Sequence, residues 1–157
     1  MFEPKNDGTD HINIYSKGKT ELGRLLTNLA PVSFIHHEHG RFECMEAFWY
    51  WYLTGRKHDE LKCLNGFQAK KQGQKFRNDR EDVGVLTETQ KKELLFAIRC
   101  KLNQNKHILT LMKNSELPFA HYYFYCNEYN PKIIELPQYG WQIEYFEKVR
   151  NYLKKLK

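Results

Sequence analysis

The stretch from Cys44 to Gly55 constrains the fold more than any other. Met45, Phe48, Trp49, Trp51, Tyr52 and Leu53 leave it apolar on nearly every side. A helix with so little polar face has to sit centrally, with other elements packed around it. The rest of the chain supplies candidates. Residues 12–15 alternate as a short strand, and residues 32–37 and 41–43 read as two strands joined across His39-Gly40. Short helices are expected over 59–64 and 67–76, then a polar loop over 77–86. Thr87-x-x-Gln90 matches a capping box that opens a helix with Leu94, Leu95, Ile98 and Leu102 on one face. A further helix is expected over 106–113, a β-hairpin from 119–126 and 132–136, and a last helix carrying Ile143, Phe146, Val149 and Leu153 on one stripe. Together these predict an α+β fold, mostly helical with short β-hairpins. Residues 1–11 are expected to be a flexible N-terminus and residues 12–157 a single domain.

With 41% hydrophobic and 15% aromatic residues among 157, the chain has enough apolar material to bury a core. No apolar run approaches the roughly 20 residues that span a bilayer. The start, Met1-Phe2-Glu3-Pro4-Lys5-Asn6-Asp7, has no apolar signal core, so secretion is not expected. Cys44, Cys63, Cys100 and Cys126 are far apart and form no CxxC pair, as expected of ordinary thiols in a reduced cytoplasm. A net charge of +6 and a pI near 9.1 suggest an anionic partner, either a nucleic acid or a phosphate-bearing small molecule. A basic surface without a partner has the same charge.

Glu46 is the acid out of place. It stands among Met45, Phe48, Trp49 and Trp51 in the first turn of the apolar helix. Burial raises a carboxyl pKa, whereas the positive end of the helix dipole lowers it, so sequence leaves the sign open. A tuned carboxylate in an aromatic setting suits general acid–base or nucleophilic work. A first-turn glutamate favoured by the dipole alone is the plain alternative.

Other candidates are weaker. His37 and His39 would share a strand face and supply part of a zinc site, but no further Cys or His has partner spacing. A solvated hairpin tip fits His36-His37-Glu38-His39 better, so no metal is expected. Gly18 and Gly23, with Lys17, Lys19 and Arg24, form either an anion-binding loop or an ordinary cationic one. Lys70, Lys71, Lys75 and Arg77 fall in a segment without acids, a candidate nucleic-acid surface or a solvated helix face. The cations of the last helix, Lys148, Arg150, Lys154, Lys155 and Lys157, suit a helix C-terminus electrostatically. Half of His121-Tyr122-Tyr123-Phe124-Tyr125 should face a core, and the other half is free to stack on a base. Trp141 is either a core anchor or a pocket wall.

Read in order, these segments resemble the NADAR family, the YbiA-like proteins linked to NAD and ADP-ribose metabolism. Leu26-Thr27-Asn28-Leu29 is similar to the family's LSNF stretch. Gly40-Arg41-Phe42-Glu43-Cys44-Met45-Glu46-Ala47-Phe48-Trp49 resembles its G-x-x-F-x-S-x-E-x-x-[YW] signature. Gln68-Ala69-Lys70-Lys71-Gln72-Gly73 parallels A-K-K-x-G, and residues 97–105 parallel A-x-x-x-K-F-x-Q-N. The opening Tyr15-Ser16 to Asn28 and the stretch Pro118 to Tyr123 look most like a tailed-phage branch. The family's late aspartate has no counterpart, since Asp is absent after Asp82. Gly140-Trp141 reverses the family's W-G, and Ala47 stands where a histidine often follows the glutamate.

The resemblance implies hydrolysis of an N-glycosidic bond to ADP-ribose, including ADP-ribose on guanine in nucleic acid, with DNA foremost and no cofactor. It implies Glu46 as the catalytic group and Asn28 as a partner of a ribose hydroxyl. Arg24, with Lys17 or Lys19, would neutralise the pyrophosphate, and Ser16 and Lys71 would also bind substrate. Trp49, Tyr122 and Trp141 would stack on a base or wall the pocket. A phage-encoded member would act in the host cytoplasm as an anti-defence factor. Two alternatives stay open: a non-catalytic module binding ADP-ribose or nucleic acid, and an N-glycosidase acting on a free metabolite.

Overall fold

The computed structural model describes residues 1–82 and 84–156, and it is an α+β structure. Where sequence suggests one domain, the chain divides into two compact units, Met1–Thr27 with Lys106–Lys157, and Asn28–Asn105. Among the described residues no helix is long and apolar enough to cross a membrane.

In the discontinuous unit, β1 (Ile12–Asn13) pairs in parallel with β4 (Phe119–Ala120). Asn13 extends that pairing through its side chain: its Nδ2 donates to the Tyr122 carbonyl and its Oδ1 accepts the Tyr122 N–H, each at 3.0 Å. The expected strand over 12–15 is therefore shorter, and its partner lies far along the chain. Buried Asp7 accepts from the Asn13 and Lys19 N–H groups, and fully buried His11 meets the Tyr122 hydroxyl at 2.6 Å. These polar anchors order residues that carry little apolar surface.

α1 (Glu21–Leu25) is N-capped by Thr20, whose hydroxyl accepts the Gly23 N–H. A Cβ on Gly23 would lie 2.3 Å from the Asn13 carbonyl oxygen, so only glycine lets α1 approach β1 this closely. α1 packs on α5 (Lys106–Asn114). β5 (Tyr122–Asn127) and β6 (Asn130–Glu135) form an antiparallel hairpin, shorter at its start than the expected 119–126 strand because Phe119 and Ala120 pair with β1 instead. α6 (Gly140–Lys155) packs on α5 and β4, with Phe146 edge-on to Phe119. Arg150 belongs to this packing and not to a solvated basic cluster. It is buried, donates to the Leu117 carbonyl at 2.7 Å and lies 4.2 Å from the Phe119 ring centroid.

The continuous unit is built around α2 (Met45–Leu53), the helix expected to be central. Met45, Ala47, Phe48 and Leu53 have no exposed surface. Cys44 caps it, its sulfur accepting the Ala47 N–H, and Gly55 at φ +95° follows its last turn. Ahead of it, β2 (Phe34–His36) pairs antiparallel with β3 (Gly40–Phe42), in a register that sets Phe34 opposite Phe42. α3 (Gly66–Gln74) packs on α2 with Gly73 against Tyr50, where a Cβ would meet the ring at 2.3 Å, while Gly66 abuts the backbone of Leu29. α4 (Glu88–Asn103) opens with the expected reciprocal capping box of Thr87 and Gln90. Just past its end, the Gln104 amide donates to and accepts from the Ile35 backbone at 2.8 Å each way, completing the edge of β2 as another strand would.

The hairpin tip differs from expectation. His36 is buried (2% exposed) and stacks on Phe48, while His37 remains exposed. His36 Nδ1 accepts the Glu38 and His39 N–H groups, which assigns the proton to Nε2, and Nε2 has no hydrogen-bond partner. Burial, with His39 and His37 adding to it, pushes the imidazole down to about 4 from 6.5. The unfolded chain therefore takes up a proton that the folded one refuses. Stability is full above pH 6.5 and falls as pH drops from 6.5 through about 4, by about 3 kcal/mol from this residue. His36→Phe keeps a ring on Phe48 and is expected to flatten the acid limb of a urea-midpoint profile between pH 7 and 4. A limb as steep as the parent's would show that other groups set it.

Candidate active site

Glu46 is the second residue of α2. Its backbone N–H, unsatisfied within the helix, donates to the Asn28 carbonyl at 2.8 Å. That bond ties the residues similar to the LSNF stretch to the turn that carries the glutamate. The residue is half-buried, and its carboxyl is pushed up to about 7 from 4.5. Burial is the larger cause, opposed by the charges of Lys70 and Arg80. Burial outweighs these two cations. Near neutral pH the group is divided between acid and carboxylate and can take or give a proton.

Two further charged groups of this unit are Arg80 and Lys101, the latter named in the sequence only within the stretch 97–105. Lys101 on α4 is buried (2% exposed), and burial pushes its ammonium down to about 7 from 10.5. The nearest ionisable neighbour acting on it is Cys44. Burial pushes the Cys44 thiol up to about 11, so it is a protonated helix cap and a poor nucleophile. Arg80 forks onto Asp82 with both bonds at 2.5 Å and lies over the Tyr50 ring.

The residues expected to bind substrate divide between the two units. In the continuous unit Asn28 joins Glu46 as described. Trp49 is 7% exposed, which leaves little of its ring for a base. Lys71 points to solvent on α3, and it is Lys70, the residue before it, whose charge acts on Glu46. A cleft of about 440 Å³ lies elsewhere in this unit, lined by Glu38, His39, Tyr52, Arg56, Glu81 and Glu93 among others, without Glu46.

In the discontinuous unit, Arg24 is spent on its own loop, its Nη1 donating to the Gly18 and Lys19 carbonyls at 2.8 and 3.0 Å. Lys19 pairs with Glu128 and donates to the Lys5 carbonyl. Lys17 is exposed and Ser16 half-buried. Tyr122 is corrected: 4% exposed and joined to His11, it is a core residue with no face for stacking, and burial raises its hydroxyl pKa. Trp141 is half-buried, with its indole N–H on the Gln138 carbonyl at 3.1 Å.

Among the described residues no group of three His, Cys, Asp or Glu is placed to hold a metal ion. No family model, no curated protein and no solved structure matches this chain.

Proposed function

We propose that the chain hydrolyses the N-glycosidic bond between ADP-ribose and guanine in nucleic acid, DNA foremost, with Glu46 as the catalytic residue. The observation that carries this is a half-buried carboxyl, set in the first turn of a buried helix and poised at about 7, with Lys70 and Arg80 as its countercharges. The order of motifs around Asn28, Glu46 and residues 97–105 points the same way. Such bonds break through an oxocarbenium-like transition state. Glu46, as carboxylate, steadies the positive charge growing on the sugar carbon or takes a proton from the water that attacks it. The bond from that carbon to the guanine nitrogen breaks, and the base leaves with its electron pair and is protonated. A phage-encoded protein of this kind removes host-attached ADP-ribose from its own DNA.

The test is release of ADP-ribose from defined ADP-ribosylated guanine oligonucleotides. In the carboxylate role, kcat/KM climbs as pH passes about 7 and then levels. A rate that falls over the same range assigns Glu46 to protonating the leaving base. Tight binding without turnover over long incubation would make the protein a binding module, and turnover confined to small free N-glycosides would make it a metabolite glycosidase.

A further inference from the structure

α3 is built the opposite way from an ordinary surface helix. Its buried stripe is Gly66, Ala69 and Gly73, and its one large apolar side chain, Phe67, is 65% exposed. Burying small residues brings the helix backbone close to Tyr50 and leaves no inward site for the phenyl ring. On the outward side Phe67, Lys71 and Lys75 recur every four residues, and Arg77 follows. Four residues of helix advance about 6 Å, comparable to the step between phosphates on an extended strand.

The charge on this surface is unopposed. From Gly66 to Asn78 there is no acidic residue. Among the described residues Lys71, Lys75 and Arg77 make no ion pair. Of the acids that come next, Asp79 pairs with His58 and Lys57 and Asp82 with Arg80, while Glu81 lines the cleft with Glu38 and Glu93. Lys70, on the same helix, carries its charge to Glu46.

We propose that the outward face of α3, Phe67, Lys71 and Lys75 with Arg77 beyond it, is a track for single-stranded DNA, on the same helix whose Lys70 acts on Glu46. This rests on the reading of Glu46 as acting on modified DNA. The cations neutralise successive phosphates, and the exposed ring stacks on an unpaired base, which a duplex does not offer. A peptide without carboxylates would find an aromatic ring here but no use for three unpaired cations.

Binding of a fluorescent, unmodified single-stranded oligodeoxynucleotide, followed by anisotropy across a salt series, tests the surface apart from catalysis. Each phosphate contact adds roughly 0.7 to the slope of log K against log salt, so Lys71→Gln/Lys75→Gln/Arg77→Gln should lower its magnitude by about 2. Phe67→Ala should weaken binding roughly 5- to 150-fold with the slope unchanged. All four side chains are exposed, so the variants keep the fold, which circular dichroism checks. An unaltered slope in the triple variant overturns the proposal, as does a wild-type protein that fails to bind at low salt. Tighter binding of the RNA of the same sequence overturns the assignment to DNA. A protein that binds through α3 yet releases no ADP-ribose leaves this surface standing and removes the enzymatic reading.

Discussion

Glu46→Gln is expected to lose turnover roughly 10²- to 10⁴-fold while becoming more stable at pH 8 by up to about 3 kcal/mol. Both effects have one cause. The folded protein holds the carboxyl at about 7, whereas the unfolded chain releases its proton near 4.5. Between those values the native state binds more protons than the unfolded state, so stability falls as pH rises from 4.5 to about 7 and stays low beyond. Glutamine has the same shape and no proton to lose, and it escapes that penalty. By pH 5 the difference should shrink to under about 1 kcal/mol.

Urea unfolding of both proteins at pH 5 and pH 8, beside the release assay, checks the pair of effects. A variant that is inactive and less stable at pH 8 would mean that the ionised carboxylate holds the fold together and that its loss of activity is structural. A variant stabilised at pH 8 but fully active would separate the strained carboxylate from the chemistry. Only the combination of gain and loss marks a group kept ionised at the expense of the fold.

How much of this was legible beforehand depended on whether the signal was local. The apolar run of α2 and the Thr87 capping box follow from neighbours in sequence and stand as expected, and the hairpin forms too, though its strand starts at Tyr122 and not at 119. The partner of Ile12–Asn13 lies at Phe119–Ala120, a parallel pairing that no local pattern announces. Glu46 stood out by its surroundings, yet the sign of its shift needed the actual burial. Lys70 and Lys71 part company because the phase of α3 is set by Gly66, Ala69 and Gly73, small residues that a hydrophobic-period reading passes over in favour of Phe67. Tyr122 was offered to a base because alternation says which residues share a face, not which face is covered. Lys101 had a signal that went unused: it falls on the buried stripe of α4 with Leu94, Ile98 and Leu102.

That lysine supports the second large effect. Lys101→Met is expected to stabilise the protein at pH 6 by about 2–4 kcal/mol, with the gain shrinking as pH approaches 10. The unfolded chain keeps this ammonium charged up to about 10.5, while burial in the folded chain pushes it down to about 7. Below pH 7 the folded state therefore carries either a desolvated charge or the cost of giving the proton up, and that penalty lifts only as pH rises from 7 toward 10.5. Methionine fills a similar volume with no charge, although it forfeits the polar interaction Lys101 makes, worth about 1 kcal/mol. The pH dependence is opposite in sense to that of Glu46→Gln, which gains at high pH. Urea midpoints of Lys101→Met and its parent at pH 6, 8 and 10 therefore distinguish the two penalties within one fold. A loss of stability at pH 6 would show that the partners of the ammonium outweigh its desolvation, and that Lys101 holds α4 in place by polar contact.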